Sequence, residues 1–182
     1  QEQNARATFF VFGNRVDNFP NIIQREYSQG HEIGSHSFSH PQITTLTSDE
    51  IEYQFAETEH RIQQYVPYTT KLVRPPYGQI TQSLKEVLQK TFVLWSIDTQ
   101  DWKTRDKDAI VSEVLNNVKD GDIILMHDMY STTADACEEL IPALIERGYQ
   151  LVTVSELLNA KEITPVAGSV YSRVLSTGNA AS

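Results

Sequence analysis

The sequence predicts an α/β fold in which helices cover a parallel sheet. Short β-favouring runs alternate with longer amphipathic segments along the whole chain. This repeated order is typical of parallel sheets, because each crossover between parallel strands takes a helix. Polar clusters also follow several of the predicted strands directly. Five or six strand–helix units favour a barrel, incomplete in this chain, with an open sheet as the alternative.

The elements of the first half are delimited by local signals. Gly13 follows an apolar run and ends it, while Pro20 lies near the start of a helix and Gly30 just past its end. Thr47 and Glu50 have the spacing of a capping box. The predicted elements are a strand at 8–12, a helix at 18–28, a strand at 32–35, a helix from 48 to about 65 and a strand at 71–73.

The second half continues the alternation. Thr81 is a predicted helix N-cap, and Gly121 and Gly148 end two further helices. The predicted elements are a helix to residue 90, a strand at 92–97, a helix at 106–119, a strand at 122–126, a helix at 133–147, a strand at 149–154 and a turn or helix at 155–158. Residues 1–160 are thus predicted to form one domain, and the Gly/Ser/Thr/Ala-rich segment 161–182 a tail or linker.

Charge and cysteine content exclude several function classes. The 182 residues carry a formal net charge of −9, and no basic stripe is present that would bind nucleic acid. Cys137 is the single cysteine, so an intramolecular disulfide and a cysteine-rich zinc module are excluded. No apolar run is long enough to span a bilayer.

Four polar clusters each follow a predicted strand, at residues 36–40, 74–78, 98–102 and 127–128. In parallel α/β architectures the C-terminal ends of the strands lie at one edge, where active sites assemble. The coincidence of four such clusters favours a functional site over four unrelated loops.

His36 and His40 are a candidate metal pair. On a helical turn, or in a loop shaped like one, side chains four positions apart face the same point. Imidazole nitrogens at that spacing suit a metal ion such as zinc. The alternative is a pair of loop histidines satisfied by local hydrogen bonds. His31 and His60 lack such neighbours and are predicted to be ordinary surface histidines.

The segment 74–78 is predicted to be a rigid turn. Its two consecutive prolines remove two N–H donors, so the next backbone donor is that of Tyr77. A fixed N–H of this kind can stabilise a developing oxyanion. Arg74 could hold a carboxylate through a bidentate contact. The alternative is a stiff connection with a surface arginine.

The last two clusters combine carboxylates, an aromatic ring and a histidine. Trp102 is typical of a wall for sugar or acyl groups; the alternative is an Asx turn with Trp102 in the core. His127 follows a buried strand, where an imidazole is partly desolvated. Asp101 or Asp128 could hold its tautomer. The alternative for His127 is a structural role.

Together these motifs resemble those of the polysaccharide deacetylases, the NodB-homology enzymes of carbohydrate esterase family 4. Four of the five family motifs are matched, at residues 36–40, 74–78, 98–102 and 124–127, with further similarity at 7–11 and 30–34. The resemblance extends from about residue 1 to 158. It implies a distorted, incomplete (β/α) barrel of the NodB-homology type, with its first strand missing from this chain.

The resemblance implies a metal centre and an oxyanion site. His36 and His40 match two ligands of a metal that is usually zinc, although another divalent ion is an alternative. Tyr77 matches the residue whose backbone N–H binds the oxyanion and whose position lines the substrate site. Arg74 matches the residue that orients the catalytic aspartate.

The resemblance also implies a catalytic acid and a pocket for the acetyl methyl group. His127 matches the catalytic histidine and Asp101 the residue that tunes it. Trp102 and Leu125 match the residues that line the substrate pocket.

One family motif has no counterpart in this sequence. It is an Asp-Asp pair upstream of the strand at 8–12, which supplies the general base and the third metal ligand. Asp17 is a disfavoured substitute for that ligand. The missing segment is expected upstream of this sequence or on a separate chain.

The resemblance is strongest to peptidoglycan N-acetylglucosamine deacetylases. It implies metal-dependent hydrolysis of N-acetyl groups in peptidoglycan or a related polysaccharide, with release of acetate. A chitin-oligosaccharide deacetylase, an acetylxylan esterase and a non-catalytic carbohydrate-binding barrel are the alternatives. The full-length protein is expected outside the cell or at its surface, associated with the membrane or the wall, and no nucleic-acid partner is expected.

Overall fold

The computed structural model describes residues 4–175, whose contacts divide them into two compact units. The first unit comprises residues 7–94 and 164–171, and the second comprises the described parts of 1–6, 95–163 and 172–182. Each unit contains parallel strands and helices, so the predicted α/β class is confirmed. None of the helices within residues 4–175 has the length and apolar character needed to cross a bilayer.

The first unit is built on a five-stranded parallel sheet in the order β1-β2-β3-β4-β7. Its register places Val11 beside Ser35 and Ser35 beside Val73. The strands are β1 (Thr8–Val11), β2 (Glu32–Ser35), β3 (Leu72–Val73), β4 (Thr91–Val93) and β7 (Val170–Tyr171). The helices are α1 (Gly13–Val16), α2 (Pro20–Ser28), α3 (Ser48–Gln63) and α4 (Gln82–Leu88), with 3-10 turns at Ile43–Thr45 and Pro76–Gly78.

Helix α3 shows how sequence signals produce this unit. Thr47 accepts a hydrogen bond from the Glu50 N–H, and the Glu50 side chain accepts one from the Thr47 N–H, which completes the predicted capping box. The apolar face of the helix is buried in two clusters that also contain residues of the sheet. Their buried members are Val16, Ile23, Ile33, Ile43, Ile51, Phe55, Ile62, Val66, Val73, Leu84 and Phe92.

Part of the predicted tail belongs to this sheet. The N–H of Phe92 donates to the carbonyl of Ser169 and that of Leu94 to the carbonyl of Tyr171, each at 2.8 Å. The prediction that 161–182 is a tail or linker is therefore wrong for β7. A strand of only two residues has almost no effect on the amino-acid composition of the segment, so composition could not reveal it. The remainder of the predicted tail, 176–182, lies outside the described residues.

The second unit contains a separate two-stranded parallel sheet and a helical layer. Strand β5 (Ile97–Asp98) pairs with β6 (Ile124–Leu125), so that Asp98 lies beside Leu125. The helices are α5 (Asp101–Thr104), α6 (Lys107–Asn117), α7 (Ser131–Glu146) and α8 (Val154–Ala160). One apolar cluster joins β5, α6 and α7 through Ile97, Ile110, Val111, Val114, Ala136, Leu140 and Leu144.

Two predicted strands differ in the structure. The run 92–97 is divided between β4 and β5, which belong to different sheets. The run 149–154 forms no strand, although the Leu151 carbonyl accepts a bond from the Arg6 N–H at 3.0 Å. An apolar run predicts burial, but a strand also needs an adjacent strand with which its backbone N–H and C=O groups can form hydrogen bonds. Within residues 4–175 the strands form two sheets and no closed barrel, in agreement with an incomplete one.

Gly121 is required by a close backbone approach. Its φ is +88°, and a Cβ atom would lie 1.9 Å from the carbonyl oxygen of Val174. We expect Gly121→Ala to lower the free energy of unfolding by about 1–3 kcal/mol more than Gly148→Ala does. This difference is the typical cost of overpacking, which applies only at Gly121. Gly148 is the matched control, because its φ is +87° but its Cβ would meet nothing within 4 Å. Urea denaturation measures both, and equal losses would contradict the packing argument.

Candidate functional site

The predicted site residues lie in two clusters, each within one unit, together with residues that were not predicted. The histidine cluster lies in the first unit and comprises Phe12, His36, His40, Arg74 and Tyr77. The acid cluster lies in the second unit and comprises Asp101, Trp102, Leu125, His127 and Thr133.

His36 and His40 face each other from a loop that follows β2. Their ring centroids are 5.0 Å apart, and both residues are half-buried. The loop is not the helical turn that was one of the two predicted shapes: Ser37 and His40 have φ values of +68° and +59°. A left-handed conformation is strained in residues other than glycine, so the surrounding structure must hold it.

Several contacts hold this loop in place. The N–H groups of Phe38 and Ser39 donate to Oε1 of Gln54 on α3, at 3.0 and 2.9 Å. The His40 N–H donates to Oγ of Ser37 at 3.0 Å. Sequence reasoning missed Gln54, since nothing distinguishes it from the other polar residues of α3.

Aromatic rings surround the two imidazoles. Phe12 stacks on His36 with centroids 5.1 Å apart and an interplanar angle of 14°, and it meets His40 edge-on at 5.2 Å. Tyr77 packs against His40 at 4.5 Å. Sequence reasoning also missed Phe12, although its place at the end of a predicted strand put it at the same edge as the histidines.

The chemistry of the histidine pair fits a metal such as zinc. Nδ1 of His36 lies 2.5 Å from the carbonyl oxygen of Arg74. Because a carbonyl only accepts, Nδ1 carries the proton and Nε2 is the basic nitrogen, as in metal-binding histidines oriented by a backbone carbonyl. Within the described range 4–175, no group of three or more His, Cys, Asp or Glu side chains is placed to hold a metal ion. Among residues 4–175, the pair thus offers two imidazole nitrogens to such an ion.

Asp17 is not a substitute ligand. Its carboxylate accepts a hydrogen bond from Arg61 at 2.5 Å and another from the hydroxyl of Tyr65 at 3.0 Å. These contacts hold the side chain against the end of α3 and the residues that follow it.

Tyr77 presents a backbone N–H from a strained turn. Its φ is +57°, and no acceptor for its N–H is found among residues 4–175. The residue as a whole is 59% exposed. The two preceding prolines fix this turn, which is the geometry expected of a preorganised donor.

Arg74 is buried beneath this turn. Its Nε and Nη2 donate to the carbonyls of Val93 and Leu94 at 3.3 and 3.1 Å, and its guanidinium lies over the ring of Phe10 at 4.3 Å. Burial lowers the pKa of Arg74 to about 10, so the side chain remains a cation at neutral pH. The predicted surface arginine, which was the alternative, is therefore wrong.

In the acid cluster Asp101 holds His127 from two sides. Its side chain has no solvent exposure. The Nδ1–H of His127 donates to Oδ1 of Asp101 at 2.7 Å, and the His127 backbone N–H donates to Oδ2 at 2.6 Å. Asp128 is exposed, so of the two candidates Asp101 is the partner that fixes the His127 tautomer.

Asp101 is ionised despite its burial. Desolvation by itself would raise its pKa, but hydrogen bonds from the side chain and backbone of His127 and from Thr133 outweigh that effect and hold the pKa of Asp101 below its usual value. A carboxylate facing Nδ1–H favours the tautomer whose second nitrogen, Nε2, is basic. His127 can therefore exchange a proton through Nε2.

Trp102 and Leu125 differ in exposure. Trp102 is 49% exposed as a residue, so the alternative prediction that it lies in the core is wrong. The predicted Asx turn is present, since Oδ1 of Asp98 accepts from the Gln100 N–H at 2.9 Å. Leu125 is buried, and its carbonyl accepts from the hydroxyl of Thr99 at 2.8 Å.

Comparison with known proteins identifies the family. A family model described as polysaccharide deacetylase matches residues 1–93, which is half of the chain. The chain belongs to the polysaccharide deacetylase family. The chain is 43% identical over 162 residues to the peptidoglycan-N-acetylmuramic acid deacetylase PdaC of Bacillus subtilis, covering 89% of the chain and 35% of PdaC.

Other members are similar in sequence and structure. Identity is 37% over 161 residues to the peptidoglycan-N-acetylglucosamine deacetylase PgdA of Listeria monocytogenes, covering 88% of this chain and 34% of PgdA. The structure of a family 4 acetyl xylan esterase from Clostridium thermocellum matches with a TM-score of 0.90 and 34% identity, covering 95% and 87% of the two chains. The chain spans about one third of the length of PdaC and PgdA.

Proposed function

We propose that the chain carries the catalytic site of a metal-dependent deacetylase that removes N-acetyl groups from N-acetylglucosamine residues of peptidoglycan and releases acetate. The observation that carries this proposal is the hydrogen bond of the acid cluster by which the buried carboxylate of Asp101 orients His127. Membership of the polysaccharide deacetylase family and the similarity to PgdA support the choice of reaction and sugar.

Zinc is the metal that we propose, with another divalent ion as the alternative. His36 and His40 would hold it through imidazole nitrogens, and the remaining protein ligand would come from a carboxylate outside residues 4–175. When bound, the ion supplies Lewis-acid charge that polarises the acetamide carbonyl.

The turn at Tyr77 would bind the oxygen of the acetamide as negative charge develops on it. The Tyr77 N–H is held by a left-handed backbone between two prolines and a glycine, so it needs no reorganisation during the reaction. Arg74 would orient the general base, a carboxylate outside residues 4–175, as its buried positive charge suits an anionic neighbour.

His127 would protonate the departing amine. An amide nitrogen leaves poorly without a proton, and the Nε2 of an imidazole whose Nδ1–H is held by Asp101 can deliver one. Trp102 and Leu125 would receive the acetyl methyl group, the first with an exposed ring and the second with a buried apolar side chain.

The substrate determines where the protein acts. Peptidoglycan lies outside the cytoplasm, so we propose an extracellular or cell-surface location for the full-length protein. Its polymer partner is peptidoglycan or a related N-acetylated polysaccharide. The charge of −9 argues against polyanions such as nucleic acids as partners.

The test compares acetate release from peptidoglycan, N-acetylglucosamine oligomers and acetylxylan by the natural full-length protein. We expect release to be fastest from peptidoglycan, to cease with a chelator and to return with zinc. Mass spectrometry of digested product assigns the free amine to N-acetylglucosamine or to N-acetylmuramic acid, the sugar in the name of PdaC. A preference for acetylxylan, or glycan binding without acetate release, would overturn the proposal in favour of an esterase or a non-catalytic binding barrel.

A further inference from the structure

The carboxylate of Asp101 accepts four hydrogen bonds. Oδ1 accepts from Nδ1 of His127 at 2.7 Å and from the Trp102 N–H at 2.8 Å. Oδ2 accepts from the His127 N–H at 2.6 Å and from the Thr133 hydroxyl at 2.8 Å. Thr133 lies in the first turn of α7 and is 2% exposed, so this bond is shielded from water.

The Thr133 bond restricts rotation of the carboxylate. A carboxylate can turn about its Cβ–Cγ bond, and only one orientation directs Oδ1 at Nδ1 of His127 along the line of a hydrogen bond. The Thr133 hydroxyl approaches Oδ2 from a separate helix, whereas Trp102 is the residue next to Asp101. Loss of this donor would leave a buried anionic oxygen with one partner fewer.

We propose that Thr133 is a positioning residue that holds the plane of the Asp101 carboxylate and thereby fixes the tautomer and orientation of His127. The inference deepens the proposed function and rests on it for its kinetic consequence. Thr133 need not touch the substrate, because it acts through Asp101.

The neighbouring Thr132 provides a matched control. Its hydroxyl oxygen is buried and has no hydrogen-bond partner within residues 4–175. Thr132→Val and Thr133→Val therefore make the same chemical change at adjacent positions of one helix turn. Only the second change removes a bond to Asp101.

The kinetic experiment compares Thr133→Val, Thr133→Ser and Thr132→Val with the wild-type full-length protein. We expect Thr133→Val to lower kcat by roughly 10- to 100-fold, as for loss of a hydrogen bond to a charged group, with KM little changed. Thr133→Ser should restore most of kcat, and Thr132→Val should retain it. A kcat for Thr133→Val within twofold of wild type, equal losses for the two valine variants, or no rescue by serine would overturn the proposal.

A second readout does not depend on deacetylation. Nitrogen-15 NMR of His127 at a pH where the imidazole is neutral reports which ring nitrogen carries the proton. We expect a single Nδ1–H tautomer in wild type and a mixture in Thr133→Val. The titratable groups that face Asp101 are His127 and Cys137, and burial and the Asp101 charge raise the pKa of the Cys137 thiol, so the thiol adds no charge beside Asp101 near neutral pH. An unchanged tautomer in Thr133→Val contradicts the positioning role, whereas an inactive wild type with the expected tautomers contradicts only the proposed function.

Discussion

Replacing His127 by alanine is expected to lower kcat for acetate release by about 10²–10⁴-fold, the range typical of a general acid–base group. The reason is that Nε2 of His127 is the proposed proton donor to the leaving amine, and Asp101 keeps Nδ1 protonated. Initial rates of acetate release from peptidoglycan at saturating substrate measure the loss. KM should change little, because the interaction that is removed develops mainly in the transition state.

The adjacent Asp128→Asn variant is the control for His127→Ala. Asp128 is exposed, so we expect its replacement to retain activity. Acetate release by His127→Ala at the wild-type rate would exclude His127 as the acid. A loss in Asp128→Asn as large as that in His127→Ala would show that the wrong carboxylate has been assigned as the partner.

Replacing His36 or His40 by alanine is expected to have the second large effect, a loss of metal affinity of more than about 100-fold. Changes in residues that merely orient metal ligands already cost about 10–100-fold, and each of these histidines is a proposed ligand. Elemental analysis of the purified protein and zinc titration measure retention of the metal, and acetate release measures its consequence.

His60→Ala is the matched control for the histidine pair. His60 is exposed on α3, where its Nε2 lies 3.1 Å from Nε2 of Gln64. We expect this variant to bind metal and release acetate as wild type does. Wild-type metal content in both His36→Ala and His40→Ala would overturn their assignment as ligands, even if activity were lost.

Elements with strong local signals could be predicted from the sequence. The capping box of Thr47 and Glu50, the N-cap at Thr81 and the glycine after α7 all involve residues within a few positions of each other. Such signals depend on local hydrogen bonds and backbone conformation, which sequence spacing reveals directly.

Features that depend on distant partners could not be predicted in the same way. Strand β7 forms because its backbone pairs with that of β4, about 78 positions earlier in the sequence. The contact between Thr133 and Asp101 spans 32 positions, and a threonine near a helix start has no sequence feature that indicates such a partner. For His127, the sequence reduced the choice to Asp101 or Asp128, and burial decided between them.

The left-handed residues around the two clusters affect how the protein can change over evolutionary time. His40 and Tyr77 of the histidine cluster adopt this conformation, as does Ser37 in the same loop as His40, and Gln100 and Arg105 adopt it on either side of α5. Each such residue costs about 1–3 kcal/mol of stability. The excess free energy of unfolding, which allows the protein to tolerate destabilising mutations elsewhere, is reduced by the same amount. Lineages that relax these loops would gain mutational robustness at the expense of activity, so we expect stabilising substitutions to accumulate in the helices instead.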